Sequence, residues 1–208
     1  RLINLGAARS AGDLLLILND HIEPIEPGWL HRMAASAMEP DTGAVGARLV
    51  YPDRTLQHAG VVLGVGGSCG HLYKGMAHEE AERCAHVAAP SSRMAVTGAC
   101  LAVRRALFED AKGLDEAFAV GLNDIDFCLR LRALGYRTAY RGDAVLVHHE
   151  SQSRGLDDAG LAARRRRTRE TALFLSRWRA LCDRDPNLSP AFDPREEAGL
   201  AHRFVARG

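Results

Sequence analysis

A chain of 208 residues with 47% hydrophobic and 25% charged content has the material for one core-bearing domain, with or without a tail. Its formal net charge of +1 makes no case for nucleic acid as a partner, and no apolar run approaches the length of a membrane span. Five cysteines (Cys69, Cys84, Cys100, Cys128 and Cys182) are odd in number, far apart and without a C-x-x-C pair, which argues against a disulfide framework or zinc finger and for a reducing compartment.

Residues 2–11 read as the last turns of a helix stopped at Gly12. The continuous apolar run 14–18 then ends abruptly at Asn19, Asp20 and His21, as expected of a strand buried on both faces of a parallel or mixed sheet. After Pro24, Pro27 sits in the first turn of a helix that carries Trp29, Leu30, Met33 and Ala37 on one face. Strands follow at 43–50 and 57–63. The five glycines within 64–75 read as a connecting loop, and 76–89 as polar surface.

Residues 94–103 are apolar with Thr97-Gly98 inside them, and a glycine in such a run predicts a bulge or a close approach by backbone or ligand. A short helix at 104–111 leads to a second helix that Asp124 opens, with Phe127, Leu131 and Leu134 on its face and Gly135 as its stop. Short strands at 137–140 and 144–148 end in His148-His149-Glu150. From Leu156 a basic amphipathic helix carries Arg164–Arg167 and Arg169 on one side and Phe174, Trp178 and Leu181 at helical spacing. Beyond Pro186 the pattern dissolves.

Three polar clusters therefore interrupt apolar segments: Asn19-Asp20-His21, Asn123-Asp124-Ile125-Asp126 and His148-His149-Glu150. Each alone is explained by a turn, a helix cap or a strand end. Two lie at expected strand ends, where ligands gather, and one at a helix start; collected in one cleft, they supply what metal-assisted group transfer requires. Imidazole and carboxylate hold a divalent ion, the ion neutralises leaving-group phosphates, and a separate carboxylate takes a proton from an acceptor hydroxyl.

The stretches N-L-G-A-A-R-S-A-G-D-L-L-L-I-L-N-D-H-I-E-P (4–24), V-G-A-R-L-V-Y-P-D-R-T-L-Q-H-A-G-V-V-L-G (45–64), V-T-G-A-C-L-A-V-R-R (96–105), G-L-D-E-A-F (113–118), N-D-I-D-F-C-L-R-L-R-A-L-G-Y-R (123–137) and H-H-E-S-Q-S-R-G (148–155) carry a resemblance. Jointly they resemble the family 2 glycosyltransferases of GT-A fold, in particular the bacterial branch that builds surface polysaccharides. The resemblance implies an α/β fold: a GT-A-like mixed, mostly parallel sheet flanked by helices, N-terminally truncated, with a C-terminal helical tail. Residues 1–155 would be the C-terminal part of the catalytic domain, lacking the base-binding segment, and 156–208 a basic helical tail and extended C-terminus.

It further implies transfer of a sugar, with inversion, from a nucleotide-diphosphate sugar to a hydroxyl of a saccharide or lipid-linked saccharide. The setting would be cytoplasmic, at the inner face of the plasma membrane, with peripheral membrane association and no nucleic acid. Asp124 matches the catalytic base. Asp20 and His21, with His148 or His149, match the metal shell. Asn19, Thr97, Gly98 and Arg154 match the donor side, and His58, Asn123 and Asp126 the acceptor side. His21 stands where the family carries aspartate, and an imidazole there favours Mn2+ over Mg2+. The competing reading is a non-catalytic sugar- or nucleotide-binding module on the same fold.

Overall fold

The computed structural model describes residues 1–149 and 160–188, so Glu150 and Arg154 lie outside the described residues. Helix α1 (Leu2–Arg9) leads to β1 (Leu14–Leu18), β2 (Ile22–Pro24), α2 (Trp29–Ala37) and β3 (Thr42–Val50). Short strands β4 (Leu56–His58), β5 (Val61–Leu63) and β6 (Cys69–His71) follow, then helices α3 (His78–Arg83) and α4 (Ala85–Ala88). The chain continues through β7 (Ser91–Arg93), β8 (Cys100–Arg104), α5 (Arg105–Asp110), α6 (Asn123–Ala133), β9 (Arg137–His148) and α7 (Leu161–Asp183).

β3 is the axis, and every one of its residues is buried. The main sheet runs β1-β8-β3-β9-β2, with β4 beside β3 and β7 beside β9, while β5 and β6 form a separate hairpin. The mixed sheet is as expected, but its parallel share is smaller. Among the described residues β3 and β9 are the parallel pair, and β1–β8, β8–β3, β9–β2, β3–β4 and β7–β9 are antiparallel. A parallel pair needs a long crossover, which the segment between β3 and β9 supplies.

Alternation along β3 feeds two cores. Val45, Ala47 and Leu49 meet Met33 and Ala37 of α2 on one side. Ala44 belongs to the other core, together with Val96, Phe108, Phe127, Leu131 and Phe174, so α5, α6 and α7 contribute to that face. Gly46 points there too, where an added Cβ would lie 2.4 Å from Val96 Cβ, so glycine is what lets the 94–99 segment cross the sheet. Phe174 is fully buried and Trp178 and Leu181 pack beside it. One such aromatic burial stabilises by roughly 1.5–3 kcal/mol, so α7 is fastened to the same core. Its arginines 164, 165, 167 and 169 are exposed.

Several sequence expectations change. The run 14–18 is an edge strand with one neighbour, so Leu15 is buried while Leu18 is 42% exposed. Leu30 is also exposed, outside the buried face that Met33, Ser36 and Ala37 form on α2. The expected strand 57–63 breaks at Gly60 (φ 104°), against which the Arg93 side chain packs, and its second half turns away as β5. Within the segment expected as connector, Cys69–His71 pairs with β5. The strands expected at 137–140 and 144–148 are one strand, β9, with residues 142–144 left out of its pairing with β3.

Candidate active site

β1 delivers Asn19 to the end of the sheet. Its backbone N–H donates to the Ala99 carbonyl at 2.9 Å, carrying the β1–β8 pairing one step further. Its side-chain Nδ2 lies 3.2 Å from Nε2 of His148, the last residue of β9. His148 is buried, and its Nδ1 is 2.7 Å from Oε1 of Gln57, the middle residue of β4. An amide oxygen accepts and never donates. Nδ1 therefore holds the proton, and the Nε2 lone pair is directed at the Asn19 amide.

The adjacent histidine faces the other way. The β2–β9 register sets Ile22 opposite His148 and Glu23 opposite Val147, so Glu23 lies on the face away from His148. His149 Nε2 is 3.2 Å from Glu23 Oε2, and its N–H donates to the His21 carbonyl at 3.0 Å. His21 Nε2 pairs with Asp20 Oδ1 at 3.1 Å, and the Asp20 side chain is 86% exposed. Among the described residues no three His, Cys, Asp or Glu side chains converge as a metal shell. The expected shell of Asp20 and His21 with one of His148 and His149 does not assemble among the described residues: backbone alternation sends the two histidines to opposite faces, with His148 beside Asn19.

Asp124 enters from the helical layer. Leu122 takes a left-handed backbone (φ 65°), and its carbonyl accepts the Asp126 N–H at 2.8 Å, which starts α6 abruptly. Asp124 Oδ1 accepts the Ile125 N–H at 2.9 Å, and Oδ2 accepts the Gly98 N–H at 2.7 Å. A Cβ at residue 98 would lie 3.2 Å from Asp124 Cβ. A close approach is therefore present at Gly98, but it is the Asp124 side chain that approaches and not the backbone or ligand expected. Asn123, half-buried, opens α6 beside it.

The loop that grips Asp124 is itself held from beneath. The Thr97 N–H donates to His58 Nε2 at 3.3 Å, and Thr97 Oγ1 accepts the Ala99 N–H at 3.3 Å. His58 is 1% exposed, and its Nδ1 lies 2.8 Å from His71 Nδ1, with the two rings edge-on. Burial first, then the neighbouring His71, Arg93 and His148, push the His58 imidazole well below its ordinary pKa of 6.5. His58 is therefore a neutral prop under Thr97, which corrects its expected place facing an acceptor.

Asp126 is corrected in the same way. It is fully buried and accepts from Arg130 Nε (2.8 Å), Arg177 Nη1 (3.0 Å) and Trp178 Nε1 (3.0 Å), so it ties α6 to α7. Arg154, expected at the donor diphosphate, lies outside the described residues.

Gln57 and Glu170 were not singled out by the sequence as positioning groups. Gln57 reaches His148 across 91 positions of chain, for which local pattern holds no signal. Glu170 did leave one. It continues the stripe of Ala163, Phe174 and Trp178, and an acid within an apolar face of a helix signals a buried partner.

The chain as a whole has relatives among known proteins. The family described as "Glycosyltransferase like family 2" matches residues 5–172. The chain is 42% identical over 191 residues to the uncharacterized protein y4gI of Sinorhizobium fredii, covering 90% of this chain and 21% of that protein. It is 39% identical over 155 residues to the O-antigen biosynthesis protein RfbC of Myxococcus xanthus, covering 74% of this chain and 12% of that protein. Against an N-acetylglucosaminyl-diphospho-decaprenol L-rhamnosyltransferase of Mycobacterium tuberculosis it is 34% identical over 90 residues, covering 41% of this chain and 29% of that protein. The chain thus spans under a third of each of these relatives.

Two solved structures resemble the fold at low sequence identity. GalNAc-T7 with UDP, GalNAc and Mn2+ has a TM-score of 0.57 and 13% identity, covering 72% of this chain and 30% of that one. The mannosyltransferase PcManGT from Pyrobaculum calidifontis, in complex with GDP-Man and Mn2+, has a TM-score of 0.51 and 20% identity, covering 98% and 48%. The mixed sheet, its two helical layers and a family match over most of the chain lead to one conclusion: this chain belongs to the family 2 glycosyltransferases and has a GT-A fold.

Proposed function

We propose that the protein carrying this chain transfers a sugar from a nucleoside-diphosphate sugar to the hydroxyl of a saccharide or lipid-linked saccharide, with inversion, in bacterial surface-polysaccharide synthesis. The observation that carries the reading is Asp124. Its carboxylate is fixed at the start of α6 by the Gly98 N–H, and the next residue, Ala99, accepts the backbone N–H of Asn19, whose side chain meets His148.

In this reading Asp124 is the general base. It accepts the proton of the acceptor hydroxyl, whose oxygen bonds to the anomeric carbon from the face opposite the leaving group. The bond from that carbon to the diphosphate oxygen breaks, and its electron pair leaves with the nucleoside diphosphate. The hydrogen bond from Gly98 holds Asp124 for this task, and Asn19, Thr97 and Gly98 line the donor side.

A divalent cation suits the donors present. His148 carries its lone pair on Nε2, oriented by Gln57 as metal-binding imidazoles are by their outer hydrogen bonds; an ion bound there would replace the Asn19 amide as its partner, and Asp20, next to Asn19 in sequence, would bring a carboxylate. One carboxylate and one imidazole favour manganese over magnesium, and the two similar solved structures contain Mn2+. When bound, such an ion would offset the charge of the leaving diphosphate. The name of the RfbC relative supports the surface-polysaccharide setting. No described helix is long and apolar enough to cross a membrane. Work at the inner face of the plasma membrane would therefore engage these residues peripherally.

The test is release of nucleoside diphosphate from a panel of nucleotide sugars with Mn2+, by the complete protein and by Asp124→Asn. Loss of at least a hundredfold in turnover with retained donor binding is the expected result. Equal turnover in both proteins would overturn the role of Asp124, and donor binding without turnover in the parent would favour the non-catalytic module.

A further inference from the structure

Helix α7 carries a buried acid that the proposed chemistry has not used. Glu170 lies near the middle of the helix and is 4% exposed. Its Oε1 accepts the Val120 N–H at 3.1 Å, and its Oε2 accepts the Gly121 N–H at 3.1 Å. Both oxygens of one carboxylate thus clasp two consecutive backbone amides. A carboxylate buried this deeply is stable only when its lone pairs are met, and these amides are the partners it has among the described residues.

The clasped residues immediately precede Leu122, whose left-handed backbone sets the point at which α6 begins. Asp124 follows two positions later. A leucine is held in that conformation only when the surroundings over-determine it, and Glu170 supplies the restraint on the incoming side. The same helix supplies the restraint on the outgoing side. Arg177 Nη1 and Trp178 Nε1 both donate to Asp126 Oδ1, and Arg177 Nη2 binds Asp115 at 2.7 Å. Asp124 therefore stands between two anchor points that both belong to α7.

We propose that α7 is a splint for the catalytic base, with Glu170 as its principal positioning residue. The proposal rests on the assignment of Asp124 as base. Glu170 touches neither donor nor acceptor in this account, and acts through the backbone of residues 120–122. Its loss leaves the sheet-borne side, Asn19 and His148, in place while the start of α6 loosens. Displacements on the scale of an ångström at a base cost one to two orders of magnitude in rate, so the expected effect falls on turnover and not on donor affinity.

The experiment compares the complete parent protein with Glu170→Gln, Glu170→Asp and Asp124→Asn. The probe is the nucleotide sugar giving the greatest nucleoside diphosphate release in the panel, and donor affinity is measured by calorimetry on the same samples. Glu170→Gln sets an amide NH2 against a backbone N–H, and should lower kcat per donor-binding site roughly tenfold with donor Kd unchanged. Glu170→Asp retains the charge but is one methylene short, and should recover part of the loss. A purely structural role would reduce the number of donor-binding sites without changing turnover per site, and that result overturns the splint. Should Glu170→Gln not fold, Glu170→Asp is read by the same criterion. If Asp124→Asn abolishes turnover while both Glu170 variants match the parent per site, the splint alone falls. If Asp124→Asn itself turns over at the parent rate, the base assignment falls first.

Discussion

The backbone N–H of Gly98 donates to Oδ2 of Asp124 at 2.7 Å, joining the loop before β8 to the first turn of α6. The contact is intimate, because a Cβ on residue 98 would sit 3.2 Å from Asp124 Cβ and 3.5 Å from its Oδ2. Gly98 is not among the residues with positive φ, so alanine is compatible with its backbone, and the steric contact is what a substitution would change.

Gly98→Ala is accordingly expected to displace Asp124 by a few tenths of an ångström while the fold persists. Turnover should fall roughly tenfold with a destabilisation within about 1 kcal/mol, as read from nucleoside diphosphate release and a urea titration. Unchanged turnover would mean that the position of Asp124 is not limiting.

Gln57→Leu removes the oxygen that accepts from His148 Nδ1 and so releases the ring from its fixed tautomer. Losing a buried acceptor costs about 1–3 kcal/mol, and losing the outer partner of a metal-binding imidazole costs roughly 10- to 100-fold in metal affinity. The midpoint of a Mn2+ titration of activity should rise by that factor. A midpoint equal to the parent's would remove His148 from the proposed cation site.

His58 makes stability depend on pH. Its pKa in the folded protein lies well below 6.5, first because of burial and then because of His71, Arg93 and His148. Above pH 6.5 neither folded nor unfolded His58 binds a proton, and stability is complete with respect to this group. As pH falls below 6.5 the unfolded chain takes the proton first, so stability drops by up to one proton's worth of slope until the folded pKa is reached. His58→Gln should flatten the loss of urea midpoint between pH 6.5 and 5.5 relative to the parent. Parallel pH profiles for the two proteins would contradict the buried neutral imidazole.

What the sequence made legible is local. The apolar run into Asn19, the helix opened by Asp124, the strand end at His148 and the close approach at Gly98 are all written in adjacent residues, and all appear in the structure. What it concealed is long-range. The break at Gly60 depends on where the Arg93 side chain packs, and Gln57 finds its role through a partner 91 positions away. The inward turn of Asp126 depends on two donors from α7, more than fifty residues further along the chain. Asp124 and Asp126, two positions apart at a helix start, looked alike as chemistry, and the packing of α7 is what distinguishes Asp126 from Asp124.

The excursion of β9 at residues 142–144 acts as a parity device. Ala47 pairs with Arg141 and the next residue, Arg48, pairs with Val145, so the strand resumes after an odd number of unpaired residues. Its room is tightly bounded, since a Cβ on Gly142 would lie 2.2 Å from the Val87 carbonyl oxygen. Because side chains alternate at every step, deleting one residue there would invert the phase of all that follows, carrying His148 to the Glu23 face and presenting His149 to Asn19. Two consecutive histidines are thus one address and its mirror, and a detour far from the site decides which of them is read.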